Sequence, residues 1–129
     1  MGAGGAGENG GFSVVSIFPA NISTLLFLST FLITVPEEKY KLTDQILRSS
    51  RSVTANIAEG YGRFHYVDNA KVCSNARGSC WEVLDHLLTG NDEGLIADAH
   101  LTQGRELAGH AIKLLNGYMH YLRRAGEKE

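Results

Sequence analysis

The sequence predicts an all-α protein folded as an antiparallel four-helix bundle, and three observations lead there. Apolar residues recur at three-, four- and seven-residue steps in four separate stretches. The stretches are divided by short breaks at Pro36, Gly60-Tyr61-Gly62 and Gly90-Asn91-Asp92-Glu93-Gly94. Only two prolines occur in 129 residues, and six of the fifteen glycines fall in the first eleven, which leaves room for long helices. Helices of this kind with short connections pack side by side in alternating directions. The chain is one domain's worth, enough to bury roughly 65–70% of its unfolded surface. With 43% apolar and 20% charged residues, it is neither disordered nor collagen-like, and it has no polybasic tail.

Residues 1–19 read as a flexible Gly-rich leader, 20–126 as the bundle domain and 127–129 as a tail. The first expected helix spans Asn21 to Thr34, with Leu25, Leu28 and Leu32 on one face and Leu26, Phe27 and Ile33 widening it. It lies in a run of 28 residues, 9–36, without one ionisable side chain. The densest part, Ile22 to Val35, is 14 residues long, short of the ~20 that a membrane span requires. No Lys or Arg precedes it, so neither a signal peptide nor positive-inside anchoring is indicated. A buried helix is the expectation. A membrane or export segment through residues 12–35, or an unrepresentative start of the chain, are the alternatives.

Pro36, Glu37 and Glu38 read as a helix start, proline in the first turn and acids at the positive end of the dipole. The second helix carries Leu42, Ile46, Val53, Ile57 and Tyr61 on one stripe, with Ser49 or Ser50 filling its gap. Gly60 and Gly62 are expected to end it. The third, about Tyr66 to Thr89, aligns Val72, Cys73, Ala76, Cys80, Val83, Leu84 and Leu87. Gly78 in its middle suggests close approach of another helix, since an interior glycine costs about 1 kcal/mol against alanine. The fourth, about Asp98 to Arg124, aligns Leu101, Leu107 or Ala108, Ala111, Leu115, Tyr118 or Met119, and Leu122. Its internal Gly104, Gly109 and Gly117 weaken the case for one unbroken helix.

Motifs for chemistry are sparse. There is no phosphate loop, nucleophile elbow, dinucleotide fingerprint or zinc-binding pair, so no catalytic, cofactor or metal residues are expected. Asp85 and His86 are neighbours pointing about 100° apart on a helix, which makes no acid–base dyad. Cys73 and Cys80 would be about 10.5 Å apart on one helix, too far for a disulfide, and read as small core residues in a reducing compartment.

Charge is segregated along the chain. Four blocks carry −3 up to Glu38, +4 over residues 39–77, −5 over 78–106 and +2 to the end. The basic block offers Lys41, Arg48, Arg51 and Arg63 as candidate nucleic-acid-binding residues, with Arg48 and Arg51 about one turn apart. The same charges would equally serve between subunits, against the acidic block. Asn56, Glu59, Arg77 and Glu82 lie within or beside the apolar stripes, where buried polar groups must be paired. Arg77 is expected to pair with Glu59 or Glu82.

Three segments together carry a family resemblance. They are Pro36-Glu-Glu-Lys-Tyr40 with Leu42-Thr-Asp-Gln-Ile46, then Arg48 and Arg51-Ser-Val53 leading into Ala55-Asn-Ile-Ala-Glu-Gly60, then Ala76-Arg-Gly-Ser79 with Glu82. The sequence over about Pro36 to Leu122 resembles the four-helix-bundle family that includes proteins encoded within intervening sequences of bacterial 23S rRNA. The resemblance implies a small cytoplasmic bacterial protein, assembled as a ring of five bundles, in a family with no established catalytic activity. It extends to the accessory variability determinants of diversity-generating retroelements, which work with a reverse transcriptase and its RNA through basic surfaces. Structured RNA, or an RNA-handling enzyme such as a reverse transcriptase, is therefore the expected partner, with a purely structural interaction module as the alternative. Family members usually open with a charged amphipathic helix, whereas Asn21 to Thr34 is apolar nearly all round.

Overall fold

The computed structural model describes residues 37–128. The expected leader and the expected first helix, Asn21 to Thr34, lie outside the described residues, as does Glu129. Within them the chain forms three helices and no strand: α1 (Glu37–Tyr61), α2 (Tyr66–Asp92) and α3 (Asp98–Gly126). The helical class and the starts of α2 and α3 are as the periodicity predicts. None of the described helices is long and apolar enough to cross a membrane.

The connections explain the antiparallel order. Asp92 is followed by Glu93 and by Gly94, whose φ of +77° is the left-handed conformation that glycine adopts without strain. The Gly94 N–H then donates to Asn91 and the Leu95 N–H to Gly90, two bonds that close carbonyls left open at the helix end. The Asn91 side chain braces this turn by donating to the Ile96 carbonyl at 2.9 Å and to Asp98 at 2.8 Å. α2 consequently runs three residues past Thr89 before reversing. α3 is unbroken through Gly104, Gly109 and Gly117, and Arg123 and Arg124 occupy its last turn, where cations suit the dipole.

α2 is the middle helix: α1 and α3 each pack along it, and far less on each other. Its inward face explains how. Toward the α1 C-terminal end it gives the core cluster small residues, Ala70, Cys73, Ala76 and Cys80, while its neighbours supply bulk through Val53, Ile57, Leu115, Met119 and Leu122. The other end holds a second cluster of Leu42, Ile46, Val83, Leu87 and Ile96. Between them Ser49 and Ser50 are both buried, occupying the gap in the α1 stripe as expected. Ser79 on α2 donates to Ser52 on α1 at 2.9 Å across this seam. Tyr61, by contrast, leaves the stripe and is exposed.

The glycines correct the sequence reading. Among the described residues, no atom outside its own helix backbone lies within 4 Å of a Cβ built on Gly78, and the residue is exposed, so none of the described helices approaches there. Close approach occurs at Gly60, which abuts Asn69 and Val72, and at Gly104, where the Leu87 side chain inserts. Gly60 therefore serves packing, and neither it nor Gly62 adopts the left-handed conformation of a helix-ending glycine. Gly78→Ala is accordingly expected to stabilise the protein by about 0.5–1 kcal/mol through helix propensity alone, measured as a rise in urea midpoint at constant m.

Candidate nucleic-acid interface

α1 turns one strip outward along its length, and Lys41, Gln45, Arg48, Arg51, Ala55 and Glu59 are all exposed on it. Steps of three and four residues keep these side chains on one side of the helix. Arg48 and Arg51 differ by about 4.5 Å in rise, and Lys41 lies about 10.5 Å before Arg48. Small Ala55 leaves the strip low and open. Arg63 is exposed too, but it lies beyond the end of α1, about 15 Å of helix rise or more from Arg51. The fold thus aligns three of the four candidate cations and stands the fourth apart.

Arg48 and Arg63 hold acids. The Arg48 guanidinium donates to one oxygen of Asp44 through both Nε (3.0 Å) and Nη2 (2.7 Å). Arg63 sits 4.0 Å from Glu59. The Arg48–Asp44 pair is well exposed, 76% and 49%, so water screens it and a phosphate can displace the carboxylate at little cost. Lys41 borders a shallow cleft of about 260 Å³ whose other side carries His86 and Glu93.

The expected polar network of Asn56, Glu59, Arg77 and Glu82 is not one network. Asn56 donates to the Ser52 carbonyl and hydroxyl, at 2.8 and 3.1 Å, on its own helix. Arg77 reaches across to α3 and donates to Asn116 at 2.8 Å, instead of pairing with Glu59 or Glu82. Glu59 turns to Arg63, and Glu82 is exposed. The physical reason is placement: Arg77 lies toward the α3 side of α2, where the exposed Asn116 amide is within its reach. A buried polar residue that sequence reasoning missed is Asn69, which donates to the Tyr118 hydroxyl at 3.2 Å and accepts from the Cys73 thiol at 3.3 Å. Burial raises the Tyr118 phenol above its ordinary value, while the Asn69 hydrogen bond works the other way. Cys73 and Cys80 are free and buried, as expected, and burial pushes their thiols up to about 11 and about 12. Neither is a ready nucleophile.

A second surface lies where α1 passes to α2 and α3 ends. Phe64 there is 97% exposed, and Tyr61, Tyr66, Val67 and Tyr121 are exposed beside it in the chain or across the fold. An open cleft of about 920 Å³ is lined by Tyr66 from the start of α2 and by His120, Tyr121, Arg124, Glu127 and Lys128 from the end of α3. Sequence reading passed over it because its parts are 55 residues apart. The available signal was that Phe64 in the connection and Tyr66 at the start of the next helix belong to neither apolar stripe.

Among the described residues no three His, Cys, Asp or Glu side chains gather to hold a metal ion. Fold and surface together define an all-α protein with a cation-bearing helix strip and an aromatic end. The chain belongs to the 23S rRNA-intervening sequence protein family, whose model matches residues 23–117. The match opens at Ser23, inside the uncharged run, so the family pattern takes in most of the expected first helix as well as α1, α2 and much of α3. No curated protein and no solved structure matches the chain.

Proposed function

We propose that this protein is a non-enzymatic accessory factor of the cytoplasm that binds structured RNA, alone or together with an RNA-handling enzyme such as a reverse transcriptase. In this reading Asn21 to Thr34 supplies a fourth helix, and five bundles form a ring that repeats the cationic strip around its circumference. The observation that carries the reading is the strip itself: Lys41, Arg48 and Arg51 exposed on one side of α1, with spacing suited to successive phosphates. Family membership supports it through the RNA locus its name records. Free, buried cysteines suit a reducing compartment.

Filter binding of a structured RNA hairpin at two salt concentrations tests the proposal. Affinity is expected to fall with salt, and an Arg48→Ala/Arg51→Ala double variant to weaken binding and flatten the log–log salt slope by about two. Asp44→Asn, which removes a competing carboxylate from Arg48, is expected to strengthen binding a few-fold. Absent or salt-independent binding sinks the proposal. The rival is a structural interaction module, favoured by one observation: Arg48 and Arg63 already pair with acids, as they would with a neighbouring subunit's acidic block. A double variant that dissociates the oligomer while its monomer stays folded selects the rival.

A further inference from the structure

The aromatic end of the bundle has the makings of a second, different contact. Large aromatic side chains in water mark a surface that meets something, and here the core positions beside them are already filled by Ile57, Ala70, Met119 and Leu122. The cleft volume of about 920 Å³ falls within the range of small-ligand sites. Its wall combines the phenol rings of Tyr66 and Tyr121 and the imidazole of His120 with two cations, Arg124 and Lys128, and, among the described residues, one acid, Glu127. Tyr121, Arg124 and Lys128 follow at three- and four-residue steps, so they share one side of α3 and its extension. A planar base against a ring and a phosphate on the next turn is the ligand shape this order fits.

Tyr121 is also held ready. Its ring lies nearly parallel to that of Tyr118, 12° between planes and 6.4 Å between centroids, and remains 58% exposed. Tyr118 is tied through its hydroxyl to Asn69, and Asn69 is wedged against Gly60 and bonded by Cys73. A ring positioned before its ligand arrives loses little freedom on binding.

We propose that this cleft takes an unpaired nucleotide of an RNA strand, its base stacked on Tyr121 and Tyr66 and its phosphate on Arg124 and Lys128. The inference rests on the RNA-binding reading and extends it from duplex phosphates along α1 to single-stranded loops or ends. Only an unpaired base exposes a face for stacking, whereas a paired one keeps its faces in the helix.

The test uses the full chain with three probes: a blunt-ended RNA duplex, a twelve-nucleotide single strand carrying 2-aminopurine, and adenosine monophosphate. The strand is expected to bind with a change in 2-aminopurine fluorescence that reports stacking. Tyr121→Ala should weaken the strand about ten-fold and abolish the fluorescence change, while Tyr121→Phe keeps both and duplex binding is untouched. Equal strand binding and fluorescence in wild type and Tyr121→Ala overturns the proposal. So does a Tyr121→Ala variant that changes only the oligomeric state by light scattering, since the patch is then a contact between copies. Adenosine monophosphate binding as tightly as the strand overturns it in favour of a free-nucleotide site. Duplex binding that depends on Arg48 and Arg51, without stacking of the strand, leaves the α1 reading standing and removes this one.

Discussion

Leu115→Ala is expected to cost about 3–5 kcal/mol of stability, read as a lowered urea midpoint with the two-state slope preserved. Leu115 is wholly buried in the cluster where α3 meets the small-residue face of α2. Truncating a buried leucine loses its transfer free energy and leaves a cavity, and the cost depends on how far the surroundings collapse. Here they collapse poorly. Cys73, Ala76 and Cys80 on α2 and Ala111 on α3 are too short to swing inward. The two helix backbones would have to move instead, and the Arg77–Asn116 and Asn69–Tyr118 bonds hold them in register. A loss below about 2 kcal/mol would mean that α3 shifts onto α2 more freely than this packing implies.

Gly60→Ala should destabilise by about 1–3 kcal/mol, although alanine is the better helix former by about 1. A Cβ at this position would stand 2.5 Å from the Asn69 side-chain oxygen, 3.1 Å from its backbone oxygen and 3.3 Å from the Val72 Cβ. The side-chain oxygen cannot rotate away freely, because the same amide donates to Tyr118 and accepts from Cys73. The backbone oxygen cannot move without moving α2. Thermal melts of Gly60→Ala and Gly78→Ala should therefore shift in opposite directions, although both make the same chemical change in a helix. A smaller penalty for Gly60→Ala in an Asn69→Ala background would assign the side-chain share of the clash; an unchanged penalty would assign it to the backbone.

The contrast between these two glycines shows what the sequence holds and what it lacks. The apolar stripes of all three described helices were legible, down to the serines that fill the α1 gap, because a helix face depends only on positions three and four apart. The pairing of Asp44 with Arg48, four residues along one helix, is of the same local kind. Arg77 is different: its partner Asn116 is 39 residues away, and nothing near Arg77 in the chain selects an amide over a carboxylate. The candidate cations divide likewise. Lys41, Arg48 and Arg51 share a strip by helix periodicity, whereas the isolation of Arg63 follows from where α1 ends.

From its own residues the chain thus specifies helices, their buried faces and the cationic strip of α1, since each arises from short-range periodicity. Which glycine admits a neighbouring helix, where Arg77 finds its partner, and that Tyr66 meets Tyr121 and Arg124 around one cleft were settled by packing. Antiparallel helices bring the start of one against the end of another, and the depth at which they seat depends on the side chains opposite, which no single stretch of sequence contains.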